Sequence, residues 1–466
     1  MGYVGRLKYD YLSKYIIEFS GRYDGNDNFH PDKRWGFFPA VSAVWMISDE
    51  NFMQKLNDKN ILNSLKLRAS YGETGISDGV TRFGYMALYN QGAMKEYYNA
   101  GNILNVTFSE GNLVNPLALT WYTRKSFNVG FDFASLNNRL EGSLDYFYYK
   151  TSGYLMSPNN IYATTLGKPL PEITSGSKHR RAGFELNLRY KEKRGNWYYE
   201  IGGNISYYNQ LWEQLDSEDL ATLKNPYTRQ THEKDYFYSM YLSDGLFQNK
   251  EQILNSPRPL PSTETSMGDI KYIDANGDGK IDSNDMRRVG QPSMPHLNYG
   301  FDFRVEYKGW SLSALFQGTG DRYIAMGQQM QRGDYASVIT KFQADYWTPE
   351  NTDARFPRVT KAGYPNGENN ALVTDFFNMN AKYFRLKNLQ ISYNLKRDLL
   401  KNCNFIQGCR ITLSGTNLFT VSDVLDFTDP EAKMIEPDKI EKNLRSISGA
   451  SYPVFRTYSL GLNVEF

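Results

Sequence analysis

The chain has 466 residues and an almost balanced charge, with 53 lysines and arginines against 51 aspartates and glutamates. A nucleic-acid-binding protein normally carries a basic excess, so the charge argues against that class of partner. Aromatic residues make up 15% of the chain, yet its mean hydropathy is polar. No stretch approaches the roughly 18 apolar residues that a membrane-spanning helix needs. This combination is typical of a β-barrel with an apolar outer face, a polar lumen and aromatic girdles.

The first residues lack the charged start, apolar run and small-residue cleavage site of a signal peptide. Instead, Tyr3, Leu7 and Tyr11 fall on one face of a strand, because alternate side chains of a strand point to opposite faces. A protein of the outer membrane has to be exported. We therefore expect a signal and further sequence to precede this segment in the complete protein.

Alternation of apolar and polar residues recurs along the whole chain. It predicts strands near 3–11, 15–24, 35–47, 65–71, 127–133, 140–148, 184–190, 197–207, 297–307, 310–316, 389–395, 411–418 and 458–466. One such segment is weak evidence, because a half-buried strand of a soluble sandwich also alternates, but about thirteen are strong evidence. In the last strand the apolar face consists of Tyr458, Leu460, Leu462, Val464 and Phe466.

Two kinds of connection separate these strands. Short turns with Asn or Gly occur at 136–139, 191–196 and 308–309, whereas the connections near 75–118, 153–179, 211–294, 321–380 and 419–454 are very long. Loops above about 15 residues are uncommon in compact domains, but outer-membrane barrels combine short periplasmic turns with long extracellular loops. The sequence thus predicts an all-β, transmembrane antiparallel β-barrel. If Phe466 lies on the periplasmic side, the last strand runs inward, and counting back through an odd number of alternating strands makes the first strand run inward as well. An intact single-chain barrel has an even number of strands. We therefore expect this chain to be the C-terminal part of a larger barrel.

One segment in the 211–294 connection has the spacing of a calcium-binding loop. Side-chain oxygens would come from Asp274, Asn276, Asp278, Asp282 and Asp285, a backbone carbonyl from Lys280, and the sharp turn from Gly279. Hard cations prefer oxygen ligands, so we predict a structural Ca²⁺ site, with Mg²⁺ as the alternative ion. Asp285 stands where such loops usually have the longer Glu, which makes bidentate closure less assured. The competing interpretation is an Asn/Gly-rich turn with solvated acids.

No catalytic motif is present in the sequence. It has no His-Glu-x-x-His pattern, no Gly-x-Ser-x-Gly pattern and no phosphate-binding loop, so we expect no enzyme activity and no catalytic residues. Substrate-binding residues are not identified, since the aromatic segments 83–89 and 236–241 could hold a ligand or only pack the loops. Cys403 and Cys409 could pair in an oxidising compartment or be unrelated free thiols.

Short motifs along the whole chain resemble the C-terminal half of the SusC/RagA-like TonB-dependent outer-membrane transporters of Bacteroidetes. These motifs are Arg22-Tyr-Asp-Gly25, Arg34-Trp-Gly-Phe-Phe-Pro39, Leu67-Arg-Ala-Ser-Tyr-Gly-Glu-Thr-Gly75, 136–140, 145–151, 268–279, 307–310, 316–318, 347–351, Tyr383-Phe-Arg-Leu-Lys-Asn-Leu389, 415–419, Asp429-Pro-Glu431, 452–453 and 456–458.

The resemblance implies a 22-stranded, plugged barrel in the outer membrane that imports oligosaccharides or peptides. It implies as partners a SusD-like surface lipoprotein, the TonB–ExbB–ExbD system acting through a missing N-terminal part, the outer-membrane assembly machinery and the lipid bilayer. The last strand, ending at Phe466, would be the assembly signal. Two alternatives remain, a plug-free outer-membrane pore and a surface ligand-binding β-barrel protein.

Overall fold

Thirteen long strands form one antiparallel sheet in which neighbours in the chain are neighbours in space. We describe the protein from a computed structural model. The structure describes residues 1–80, 82–86, 89–91, 97–99, 102–104, 108–110, 117–156, 173–174, 176–233, 238–258, 264–290, 292, 294–326, 344–360, 365–403, 405–431, 446–447 and 454–466. The strands are β1 (Gly2–Tyr11), β2 (Tyr15–Gly25), β3 (Trp35–Met46), β4 (Leu62–Ile76), β5 (Tyr122–Ser135), β6 (Leu140–Ser152), β7 (Lys178–Arg194), β8 (Trp197–Gln214), β9 (Leu297–Tyr307), β10 (Trp310–Thr319), β11 (Tyr383–Asn394), β12 (Gly408–Val421) and β13 (Thr457–Glu465). The predicted strands are confirmed.

The connections contain shorter elements. Small strands occur at Tyr89–Gln91, Tyr97–Asn99, Asn102–Leu104, Phe108–Glu110, Leu155–Met156, Ile173–Thr174, Tyr238–Met240, Ser243–Leu246, Ile270–Tyr272, Arg287–Val289, Tyr323–Met326, Asn378–Asn380 and Ser446–Ile447. Helical turns occur at Pro31–Lys33, Ile47–Asp49, Asn51–Met53, Gln54–Asp58, Leu220–Lys224, Lys250–Leu254, Ser283–Asp285, Pro365–Glu368, Asn369–Ala371, Asp375–Phe377 and Leu395–Asp398. In the described ranges, every helix is too short or too polar to cross a membrane.

Several strands are longer than their apolar pattern predicts. β4 runs from Leu62 to Ile76 and β7 from Lys178 to Arg194, several residues beyond the alternating segments at each end. Alternation marks only the part of a strand that has an apolar environment on one side. Backbone pairing continues past that part, so the polar strand ends carry no signal in the sequence.

The two faces of the sheet differ in chemistry. On one face, Arg68 of β4 donates to Asp132 of β5 at 2.6 Å and to Asp145 of β6 at 3.0 Å. On the other face, Leu67 and Phe131 lie opposite each other in the β4–β5 register, and both are more than one-third exposed. This is the alternation expected of a barrel strand, with charged pairs toward the lumen and apolar side chains outward.

The chain divides into two compact units. The first contains Met1–Glu185 and Tyr208–Asp235, and the second contains Leu186–Tyr207 and Tyr236–Phe466. In the second unit the buried apolar residues come mainly from the long connections and form one cluster, here called the loop core. Its members are Tyr241, Leu246, Ile270, Tyr272, Ile281, Ile324, Met326, Trp347, Phe356, Phe377, Ala381 and Val424.

The first unit contains a small aromatic cluster where β3 and β4 separate. Their pairing ends at Ala40 and Gly72. Beyond that point the buried Phe38 ring packs edge-on against Trp121, with ring centroids 5.4 Å apart. Any side chain at Gly75 would collide with the Phe38 ring. The glycine therefore makes room for the ring.

Candidate functional site

The predicted cation loop at 274–285 lies in the second unit, where it follows the strand Ile270–Tyr272 and ends in the helical turn Ser283–Asp285. Residues 276–280 are exposed, whereas Ile281 and Asp285 are buried. Gly277 and Gly279 have φ values of +77° and +78°, a conformation that favours glycine, and they turn the chain sharply. The loop therefore has one solvent-exposed side, which carries three of the six predicted ligands, and one side that is anchored in the protein.

Backbone N–H groups of the loop hold its first carboxylate. Asp274 Oδ1 accepts from Gly277 N at 2.6 Å, and Asp274 Oδ2 accepts from Gly279 N at 2.8 Å. Desolvation is the largest single influence on Asp274 and opposes ionisation, but the backbone donors together outweigh it and lower the pKa of the carboxyl. Asp274 is thus kept as an anion, which a hard cation requires.

The last predicted ligand is turned inward. Asp285 is fully buried, and its Oδ1 accepts from Ala275 N at 2.9 Å while its Oδ2 accepts from Asp282 N at 2.8 Å. Asp285 Oδ1 also accepts from Asn276 N at 3.3 Å. An ionised carboxylate has about four acceptor sites, so Oδ2 retains one for a cation. Asn276 and Asp278 instead accept from Asp278 N and Lys280 N, each at 2.9 Å, on the exposed side.

The donor set is chemically suited to a hard cation, with four carboxylates, one amide oxygen and one carbonyl in twelve consecutive residues. In the described part of the chain, however, no three acidic, histidine or cysteine side chains converge in metal-binding geometry. The structure therefore places the predicted ligands in one loop but does not assemble them around a common point. The ion remains a prediction.

The loop is tied to the loop core through its centre. Ile281 is 6% exposed and belongs to that core. The backbone of Arg258 pairs with this part of the loop, since Arg258 N donates to Gly279 O at 2.9 Å and Ile281 N donates to Arg258 O at 2.8 Å. The 274–285 loop is therefore attached to the loop core.

A buried acid next to the loop was not identified from the sequence. Asp269 is fully buried, where Arg358 Nη2 donates to its Oδ2 at 3.0 Å and Asn370 Nδ2 donates to its Oδ1 at 2.8 Å. Burial raises the pKa of Asp269, and Arg358 opposes that rise only in part. These contacts join two long connections, the one between β8 and β9 and the one between β10 and β11.

A second buried charge cluster, here called the Arg385 cluster, joins β11 to the Asp429-Pro-Glu431 segment. Arg385 is 1% exposed and donates to Asp429 Oδ2 at 2.5 Å and to Glu431. Lys387 Nζ also contacts Glu431, at 2.6 Å. Both partners lie in motifs that carry the family resemblance, but their mutual contact could not be derived from their separate positions in the sequence.

The other predicted residues can be placed as follows. In β13, Tyr458, Leu460 and Leu462 are each at least 65% exposed and Val464 is half-buried; Phe466, which follows the strand, is 69% exposed. Cys403 and Cys409 are both free thiols. Of the aromatic segments, Tyr241 packs inside the loop core and Phe83 is exposed, whereas Tyr236 and Phe237 lie outside the described residues.

The described strands, their alternating faces and their long connections define a class, the outer-membrane β-barrel proteins. The family model for the TonB-dependent receptor-like β-barrel matches residues 2–418. The chain belongs to this family, whose members are outer-membrane transporters and not enzymes.

Individual relatives agree with this assignment. The chain is 30% identical to a TonB-dependent receptor of Formosa agariphila over 100% of its own length and 46% of the relative's. It is 26% identical to the TonB-dependent receptor SusC of Bacteroides thetaiotaomicron, over 100% of the chain and 44% of SusC. The chain thus spans about half the length of these curated relatives.

Solved structures show the same fold. The RagAB peptide transporter superposes with a TM-score of 0.71 at 21% sequence identity, covering 100% of this chain and 47% of the other chain. The RagAB peptide importer in its open-open state gives a TM-score of 0.73.

Proposed function

We propose that this chain forms the barrel portion of a TonB-dependent importer that takes up oligosaccharides or peptides together with a SusD-like surface lipoprotein. The observation that carries the proposal is the match of 99–100% of the chain to TonB-dependent receptors, SusC among them. The loop core supports this proposal, because well-packed extracellular loops offer an ordered surface to which a lipoprotein partner can bind. Energy would come from TonB–ExbB–ExbD acting on the part of the transporter outside this chain.

Growth of a deletion strain on single carbon or nitrogen sources tests this proposal. We expect loss of growth on one class of oligosaccharide or peptide. The intact gene should restore growth in a strain that has TonB but not in a strain that lacks it. Restoration without TonB would instead indicate the plug-free pore. Normal growth on every source, together with ligand binding at the cell surface, would indicate the surface binding protein.

We also propose that the 274–285 loop binds Ca²⁺ as a structural ion, with Mg²⁺ as the alternative. The anionic Asp274, the suitable donor set and the attachment of Ile281 to the loop core support this role. The D274A/D278A variant should lose Ca²⁺ binding in calorimetry and should be cleaved faster by protease in the extracellular loops.

A matched control is the variant D244A/D353A, which removes two exposed acids of the same unit outside the loop. It should bind Ca²⁺ as the unmodified protein does. Equal Ca²⁺ binding and equal protease resistance in D274A/D278A would reduce the segment to an Asn/Gly-rich turn.

Finally, we propose that the apolar face of β13, ending at Phe466, contacts the outer-membrane assembly machinery. Phe466 is 69% exposed and packs only partly on Phe405, with ring centroids 5.2 Å apart. F466A should lower the amount of protein in the outer membrane, whereas F405A should not. Equal levels of both variants would contradict this role.

A further inference from the structure

Four cations lie on the outward face of the first unit, at the ends of β5, β6 and β7 that lead into long connections. They are Lys125, Lys150, Lys178 and Arg180, here called the basic row. Each has the strand parity of the outward apolar side chains, since Lys125 lies two residues from Phe127 and Arg180 four residues from Phe184, both at least 40% exposed. The basic row therefore continues the lipid-facing surface.

The strand register places cations of the basic row next to one another, so that they repel each other. Lys125 and Lys150 are directly opposite each other in the β5–β6 pairing, and Arg180 acts on Lys150 as a further like charge. Like charges opposite each other in an antiparallel pair are destabilising. Such an arrangement favours an anion that contacts several cations at once.

The protein supplies only part of the opposite charge. Glu73 contacts Lys125 at 3.3 Å, and Glu213 contacts Lys150 at 2.6 Å. Within the described ranges, Lys178 and Arg180 form no ion pair with a carboxylate. Two of the four cations thus have no carboxylate partner among the residues that the structure describes.

The depth of the basic row identifies the kind of group. Charged residues on the outer surface of a barrel are costly at the centre of the bilayer and tolerated only near its interfaces. The long connections beyond these strand ends are extracellular, so the basic row lies at the headgroup level of the outer leaflet. Arginine forks and lysine ammonium groups both bind phosphate.

We propose that the basic row binds the phosphate groups of a phosphorylated lipid in the outer leaflet. The corresponding strand ends of the second unit differ, because their outward side chains form an aromatic cluster. There, Phe316 and Phe384 stack with ring centroids 5.4 Å apart, and Tyr299 and Phe419 pack nearby. Selective lipid binding is therefore assigned to the β5–β7 sector and not to the whole circumference.

The test compares two charge-neutralising variants of the intact transporter, purified in mild detergent. K125Q/K150Q/R180Q removes three of the four outward cations and leaves Lys178. R124Q/R181Q is the matched control, since it removes cations from the opposite face of β5 and β7. Binding of each protein to vesicles of phosphatidylethanolamine containing lipid A is compared with binding to vesicles containing dephosphorylated lipid A, and heat-dependent electrophoretic mobility verifies folding.

Each cation near an anionic surface is worth a factor of about five in affinity, so the triple variant should bind lipid A vesicles about a hundredfold more weakly. The control variant should bind as the unmodified protein does, and the dephosphorylated lipid should bind weakly to all three proteins. Unchanged binding of the triple variant, or an equal loss in the control, would overturn the proposal. Displacement of the lipid by inorganic phosphate at equal concentration would assign the site to free phosphate and would also overturn it.

Discussion

The sheet of the first unit and the loop core of the second unit place apolar side chains in opposite ways. In β4 and β5 of the first unit, residues such as Leu67 and Phe131 remain exposed on the outward face, where lipid covers them. In the loop core, Ile270 and Val424 are fully buried although they lie in connections on the watery side of the membrane. The strands thus derive their stability from pairing and from the bilayer, whereas the loops need a core of their own.

The largest expected effect lies at the Arg385 cluster, where β11 meets a connection. R385L would leave Asp429 and Glu431 without their buried partner, which typically costs about 3–5 kcal/mol. We expect a lower unfolding temperature and faster proteolysis after residue 421. R304L removes a half-exposed arginine of β9 and should cost at most about 1 kcal/mol. Equal effects of the two variants would show that the cluster is not a special anchor.

A slightly smaller effect is expected inside the loop core. I270A removes part of a fully buried side chain and should cost about 2–5 kcal/mol in the unfolding of the extracellular loops. L462A, on the exposed face of β13, should change the stability in detergent much less. Differential scanning calorimetry of both variants measures this contrast. A larger loss in L462A would reverse the proposed division between strands and loops.

A pH-dependent effect is expected in the first unit at the β3–β4 turn. The Tyr15 hydroxyl, the Trp45 indole and Lys14 all donate to Glu50 and lower the pKa of this carboxyl to about 2. Because the folded pKa lies below the unfolded one, Glu50 stabilises the fold above its unfolded pKa of about 4.3, and this contribution disappears as the pH falls toward about 2.

The variant E50Q should therefore be less stable at neutral pH and lose less stability on acidification. Heat-dependent electrophoretic mobility between neutral and acidic pH measures this slope. D49N, at the neighbouring exposed acid, should keep the slope of the unmodified protein. A slope in E50Q as steep as in the unmodified protein would remove Glu50 from this role.

The smallest effect is expected at the cysteines, which are both free thiols. C403S should change the unfolding free energy by about 0.5 kcal/mol or less, as do most substitutions outside the core. Removing a disulfide would cost several times more. The protein is unfolded without reduction and alkylated, and its reactive thiols are counted from the mass increase. We expect two thiols; a count of zero would establish the disulfide.

The strands were predictable because their signal is local. The alternation around Phe127 or Leu140 depends only on neighbours in the chain. The loop core was not predictable, since Tyr241 and Val424 belong to connections without periodicity and meet only in the folded protein. The cation loop lies between these cases. Its spacing is visible in the sequence, but the inward turn of Asp285 and the attachment to Arg258 depend on the fold.

The Phe38 ring beside Gly75 has an evolutionary consequence. Two motifs that support the family resemblance, 34–39 and 67–75, meet at this contact. A drift of Gly75 to alanine should be tolerated only after Phe38 has become smaller, whereas the reverse order leaves a gap that later mutations can fill. In related barrels, substitutions at positions 38 and 75 should therefore occur together. Ancestral reconstructions should show that a smaller residue replaced Phe38 before a larger residue replaced Gly75.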